Sequence, residues 1–137
     1  MLIEELNTTE KVDTVYHIDI GTITMFDTFV VAELKEGLTI GYEKGEGLLE
    51  VILDHFGRSG HFGLICNRVH PFSIVPTELY KIASLFENDP KVAIVNYTTV
   101  GKMSAEFEKR FWPFPVTLFD ELEPAVAWMH ATMKSAC

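Results

Sequence analysis

The side chains able to do chemistry in this chain crowd into one connection, Cys66-Asn67-Arg68-Val69-His70-Pro71-Phe72-Ser73-Ile74-Val75-Pro76-Thr77. It holds a thiol, an amide, a guanidinium, an imidazole and two hydroxyls. The apolar run His61–Cys66 leads into it and an amphipathic stretch follows. In α/β domains the carboxyl end of a strand faces the crevice where ligands and partners bind. Three chemistries therefore compete here: anion binding by Asn67 and Arg68, nucleophilic catalysis by Cys66 with His70 as base, and a hydroxyl switch at Ser73.

Each has a plainer alternative. Asn67 and Arg68 could hydrogen-bond an anion with help from the amides of a following helix. Equally, Asn67 could tie down the loop and Arg68 could pair with one of the many acids. No glycine-rich loop is present to cradle a phosphate, and no cofactor motif accompanies the stretch. A Cys66/His70 enzyme needs the base within hydrogen-bond reach and a third group to orient it; no such acid is apparent, and the reading is non-catalytic. His70 precedes Pro71, which biases its backbone toward extended geometry. Ser73 is either a helix-entry cap or a regulatory hydroxyl. A phosphate there would meet a helix dipole favourably and could pair with Arg68. Thr77 follows Pro76, a residue suited to the first turn of a helix.

Composition narrows the classes. Hydrophobic residues make up 47% of the 137, and charged residues 23%, which describes one globular domain with a proper core. The net charge of −9, from 20 acids and 11 bases, opposes binding to DNA, RNA or an anionic membrane. No apolar run approaches the roughly 20 residues that span a bilayer. The start, Met1-Leu2-Ile3-Glu4-Glu5-Leu6, lacks the basic region of a secretory signal, and the chain reads as cytoplasmic. Cys66 and Cys137 make no disulfide framework. His17, His55, His61, His70 and His130 form no i, i+4 pair, so no metal site is expected.

The elements that must position these groups follow from periodicity. Residues 1–14 have no apolar face and read as a tail or edge segment; residues 15–137 form a single domain. Alternation over His17–Ile20 and Thr22–Thr24 and the β-branched Phe29–Leu34 predict two antiparallel strands joined at Phe26-Asp27-Thr28. Thr39 is placed to cap a helix whose apolar face is Leu48, Leu49, Ile52, Leu53 and Phe56, ended by Gly57. Gly45 and Gly47 weaken its first turns. After the strand ending at Cys66, Leu79, Ile82, Ala83 and Phe86 make an amphipathic stripe. Val92–Val95 is a second buried strand. Ser104 is placed to cap a third helix, Val116–Phe119 is a short strand, and Asp120 with Glu123 caps a last helix. The order ββαβαβαβα demands crossovers, hence an α/β fold with a mixed, largely parallel sheet.

This order of elements resembles a STAS domain (sulfate transporter and anti-sigma-factor antagonist), in particular its SpoIIAA-like branch. The residues that carry the likeness are the strand Phe62–Asn67, the loop into Pro76–Phe86, the strand Val92–Tyr97 and the ending Phe119-Asp-Glu-Leu-Glu-Pro-Ala-Val-Ala-Trp128. That ending is similar to the F-x-x-x-E-x-A-x-x-W close of SpoIIAA-like proteins. The resemblance implies a domain that binds other proteins, with a phosphorylatable serine at the start of the helix after the third strand. Ser73 and Thr77 lie near that point, without the family's Asp-x-Ser.

The expected function is a non-catalytic interaction domain, regulatory as the resemblance implies, that meets its partner through residues 67–77, with Asn67, Arg68, His70, Ser73 and Thr77 as contacts. Phe107, Phe111, Trp112 and Phe114 hold more aromatic surface than one helix face buries, and are the expected self-association site of a homodimer. The alternative is a carrier of a small apolar or amphipathic molecule held between helices and sheet near Cys66 and Tyr97.

Overall fold

The computed structural model describes residues 1–8 and 10–135, the side chain of Ser135 excepted; Cys137 lies outside them. The chain folds as an α/β domain around one six-stranded mixed sheet. Its strands are β1 (Thr14–Ile18), β2 (Gly21–Met25), β3 (Phe29–Leu34), β5 (Gly63–Arg68), β7 (Lys91–Asn96) and β8 (Val116–Phe119), side by side in that order. A separate two-stranded ladder pairs β4 (Thr39–Ile40) with β6 (Ser73–Ile74). The helices are α1 (Tyr42–Phe56), α2 (Leu79–Ala83), α3 (Thr99–Glu108) and α4 (Leu122–Ser135).

The expected α/β class and mixed sheet are present. The first expected strand is two: β1 and β2 form a hairpin in which Ile18 faces Gly21 across Asp19-Ile20. Gly21 is required there, because a Cβ on it would lie 2.3 Å from the carbonyl oxygen of Glu33 on the next strand. The sheet is antiparallel from β1 to β3 and parallel from β3 to β8.

Every parallel step runs in the same direction along the sheet, so right-handed crossovers put α1, α2 and α3 on one face. Leu49, Ile52 and Leu53 of α1, Leu79, Ile82 and Ala83 of α2 and Ala105 of α3 pack there on Ile23, Val30, Ala32, Leu64, Val92 and Ile94. The opposite face is covered by α4, whose Leu122, Ala125, Val126, Met129 and Met133 bury Val31, Ile65, Ala93 and Val95. The segment 1–14, expected as a tail or edge segment, contributes to both core and sheet edge among its described residues. Ile3 is buried in the α4-side core, and Thr14 begins the edge strand.

Three helix starts differ from expectation. Thr39 lies in β4, and α1 begins after Gly41 with the Tyr42 N–H donating to Glu78 Oε1 at 2.7 Å. A carboxylate from across the fold thus does the capping. Ser104 lies inside α3, which is capped by Thr98; its Oγ1 accepts from the Gly101 N–H at 2.9 Å. Ser73 lies in β6, ahead of a 3-10 turn at Pro76–Glu78 that leads into α2, so it caps no helix. No helix of the described residues is long and apolar enough to cross a membrane.

Candidate functional site

Neighbouring residues of a strand point to opposite faces, and this divides the predicted anion site. Asn67 points to the α4 side and is buried. Its Nδ2 donates to Glu33 Oε2 at 2.7 Å and to the Met1 carbonyl at 2.8 Å, and its Oδ1 accepts from the Tyr97 hydroxyl at 2.6 Å. The amide is fully occupied in holding the N-terminal segment against the sheet. Glu33 Oε2 also accepts from the Ile3 N–H at 2.8 Å. Burial pushes the Glu33 carboxyl above its ordinary 4.5, against the lowering effect of those two donors. Burial, then the Glu33 charge, pushes the Tyr97 phenol up to about 12.

Arg68 points the other way, toward α3. Its Nη2 meets Glu108 Oε2 at 2.6 Å and Oε1 at 2.8 Å, and its guanidinium lies 5.1 Å from the Phe72 ring centroid. Trp112 Nε1 donates to the same carboxylate at 3.2 Å. The two charged side chains retain only 10% and 7% of their exposure. Arg68 and Asn67 therefore cannot hold one anion together, and the guanidinium is already paired.

The thiol and the imidazole are likewise apart. Cys66 lines a small apolar cavity of about 60 Å³ under α1 and α2, with Leu49, Leu64, Ile82 and Arg68 among its walls. Burial pushes the thiol up to about 11, with the Arg68 charge acting in the other direction. A thiolate is the nucleophile, and this group holds its proton. His70 is exposed and lines outer concavities that Cys66 does not reach. Among the described residues no three His, Cys, Asp or Glu side chains gather as a metal site requires.

What the loop does build is a groove against α3. Its two lobes, of about 580 and 530 Å³, are lined on one side by Phe72 and Ser73 and on the other by Val100 and Ser104. Pro76, Met103 and Phe107 extend the second lobe, and His70 lines the first. Ser73 is exposed on this rim; Thr77 is exposed but lines neither lobe. Val100, Met103 and Phe107 are exposed to 74%, 68% and 53%. They stand at i, i+3 and i+7, one face of a helix. The stripe is legible in the sequence once Thr98 is taken as the cap, and placing the cap at Ser104 hid it.

The aromatic segment after α3 divides too. Phe114 is buried, and Trp112 stacks on it at 5.3 Å between centroids. Phe86 meets Phe114 at 6.2 Å and Phe62 at 5.8 Å, so these rings continue the core rather than forming a surface. Phe111 is half-buried against the same core, with Phe107 5.2 Å away. Of the four predicted self-association residues, Phe107 alone is well exposed. Comparison with known proteins yields no matching family model, curated protein or solved structure.

Proposed function

We propose that this chain is a non-catalytic, STAS-like interaction domain that binds a protein partner, a second copy of itself included, in the groove between residues 69–77 and α3. The observation that carries the reading is the exposed stripe Val100–Met103–Phe107 facing the β6 loop. Apolar side chains exposed in a row cost solvation and are the usual mark of a docking surface. The wall opposite them is the segment the SpoIIAA-like resemblance assigns to partner contact, and Ser73 on its rim is accessible to a kinase. Further support for the STAS-like reading is the closing helix, where Ala125 is buried and Trp128 packs 5.6 Å from Phe119.

The test is a photoreactive p-benzoylphenylalanine at position 107 in cells. It is expected to give a discrete protein adduct that Met103→Asp abolishes, while the same probe at Val15, on the far edge of the sheet, gives none. No adduct at 107, or one indifferent to Met103→Asp, sinks the proposal.

The carrier reading draws on the cavity beside Cys66, in whose wall the Arg68 Nε is buried with no hydrogen-bond partner. Its size ranks it second. About 60 Å³ admits one or two waters, whereas sites for drug-sized ligands run to about 300–1,000 Å³. Native mass spectrometry of protein purified from cells decides: a retained small molecule supports a carrier, and its consistent absence removes the idea.

A further inference from the structure

The backbone of β6 has a paired side and a free one. The Ser73 N–H donates to the Leu38 carbonyl at 2.8 Å, the Val75 N–H to the Ile40 carbonyl at 2.9 Å, and the Pro71 carbonyl accepts from the Gly37 N–H at 2.9 Å. Residues 71, 73 and 75 thus face β4, and strand geometry turns the N–H and C=O groups of Phe72 and Ile74 the other way. Among the described residues no strand occupies that side, since β4 and β6 make a two-stranded sheet. Pro76 ends the free edge, because it has no N–H to offer. The same loop forms one wall of the groove whose other wall is the α3 stripe.

We infer that an extended, apolar segment of the partner adds as a third strand to the free edge of β6, laying alternate side chains on Val100, Met103 and Phe107. This rests on the groove being the partner site and says what enters it. An open edge supplies main-chain hydrogen bonds, and the facing side chains select residues at every second position. The dimensions are comparable. The stripe runs about 10 Å along α3 at 1.5 Å per residue, against roughly 13 Å for three alternate residues of a strand at 3.3 Å per residue. Charge selects the same occupant. Arg68 and Glu108, the ionised side chains lining the lobe between β6 and α3, are paired with each other, so a charged insert finds no counterion there. The chain as a whole carries −9, which favours basic residues flanking the apolar segment.

The probe is an array of peptides Lys-Lys-φ-Thr-φ-Thr-φ-Lys-Lys, with φ as Val, Ile, Leu or Phe, bound to the full chain. The tightest member is then resynthesised with backbone N-methyl groups either on the φ residues or on the threonines. Consecutive residues of a strand offer their N–H groups to opposite edges. One methylated peptide is therefore expected to lose affinity about tenfold or more and the other to keep it. Met103→Asp, at an exposed position, is expected to weaken the unmodified peptide as strongly. Two methylated peptides that bind alike overturn strand addition, while the groove as partner site stands or falls on the adduct at position 107. An array in which no member distinguishes the wild type from Met103→Asp overturns the inference as well.

Discussion

The Arg68 guanidinium lies 2.6 Å from the Glu108 carboxylate, joining the end of β5 to the end of α3 in the lining of the groove. Both groups are withdrawn from water, and the Trp112 indole adds a third partner. A buried pair of this kind contributes little net stability, but breaking it is costly because one charge is stranded. Glu108→Ala is therefore expected to cost about 3–5 kcal/mol in urea unfolding. The double variant Arg68→Met, Glu108→Leu is expected to recover most of that loss. A Glu108→Ala variant as stable as the wild type would show that the pair is not buried in solution.

Cys66 is expected to be inert while the chain is folded. With its thiol pushed up to about 11, iodoacetamide at pH 8 should label it only as fast as the domain unfolds. A Cys137→Ser background leaves one thiol to report. Rapid stoichiometric labelling of native protein would revive a thiol chemistry that the geometry opposes.

Glu33 sets a pH dependence of definite sign. Its carboxyl is held above 4.5 in the fold, so the folded state binds more protons than the unfolded state from 4.5 upward through the folded value. Its contribution to stability falls as pH rises through that window. Glu33→Gln keeps an accepting oxygen for the Ile3 and Asn67 donors and does not ionise. Urea unfolding at successive pH values is expected to show the variant gaining on the wild type as pH rises across the window. A difference that does not change with pH would contradict the assignment.

Two glycines of α1 are expected to respond oppositely to alanine. Nothing lies within 4 Å of a Cβ at Gly47, and Gly47→Ala should stabilise the domain by about 0.5–1 kcal/mol through helix propensity. At Gly45 the added Cβ would sit 2.6 Å from Ile82 Cδ1, so Gly45→Ala should lose about 1–3 kcal/mol by overpacking against α2. Combining Gly45→Ala with Ile82→Val should return part of it. Thermal unfolding of the three variants checks the pattern.

Aromatic positions 107 and 114 should separate surface from core. Phe114→Ala is expected to cost about 3–5 kcal/mol, and Phe107→Ala to stay within about 0.5 kcal/mol. Equal costs would mean that α3 packs differently.

What was legible from sequence follows physical lines. The Leu49, Ile52 and Leu53 face of α1, the Leu79, Ile82 and Ala83 stripe and the closing helix carry strong apolar periods, and the structure buries them as read. The β1–β2 hairpin escaped because the runs His17–Ile20 and Thr22–Thr24 both alternate and so read as one strand, although the phase shift at Gly21, between Ile20 and Ile23, betrays a turn. That turn, Asp19-Ile20, lacks the Asn-Gly or Asp-Gly signal of a tight hairpin, and neither residue takes a positive φ. β4 and β6 are two residues each, too short for any period to register. The stretch Cys66–Thr77 reads in sequence as one set of side chains, and the structure divides it. Asn67 and Arg68 are adjacent in sequence, yet the pleat sends them to opposite faces, into a network around Glu33 and a pair with Glu108. Partners that lie 34 and 40 residues away in the chain leave no local trace.

The strands of the main sheet stand in the order in which they are synthesised. Each new strand lands on the free edge of the one before it, and no slot has to be held open for a strand still to come. Assembly can proceed from β1 outward as the chain leaves the ribosome, with β8 and then α4 completing the two sides. Such a sheet has only one growing margin at any moment, which limits the unpaired backbone exposed to other nascent chains.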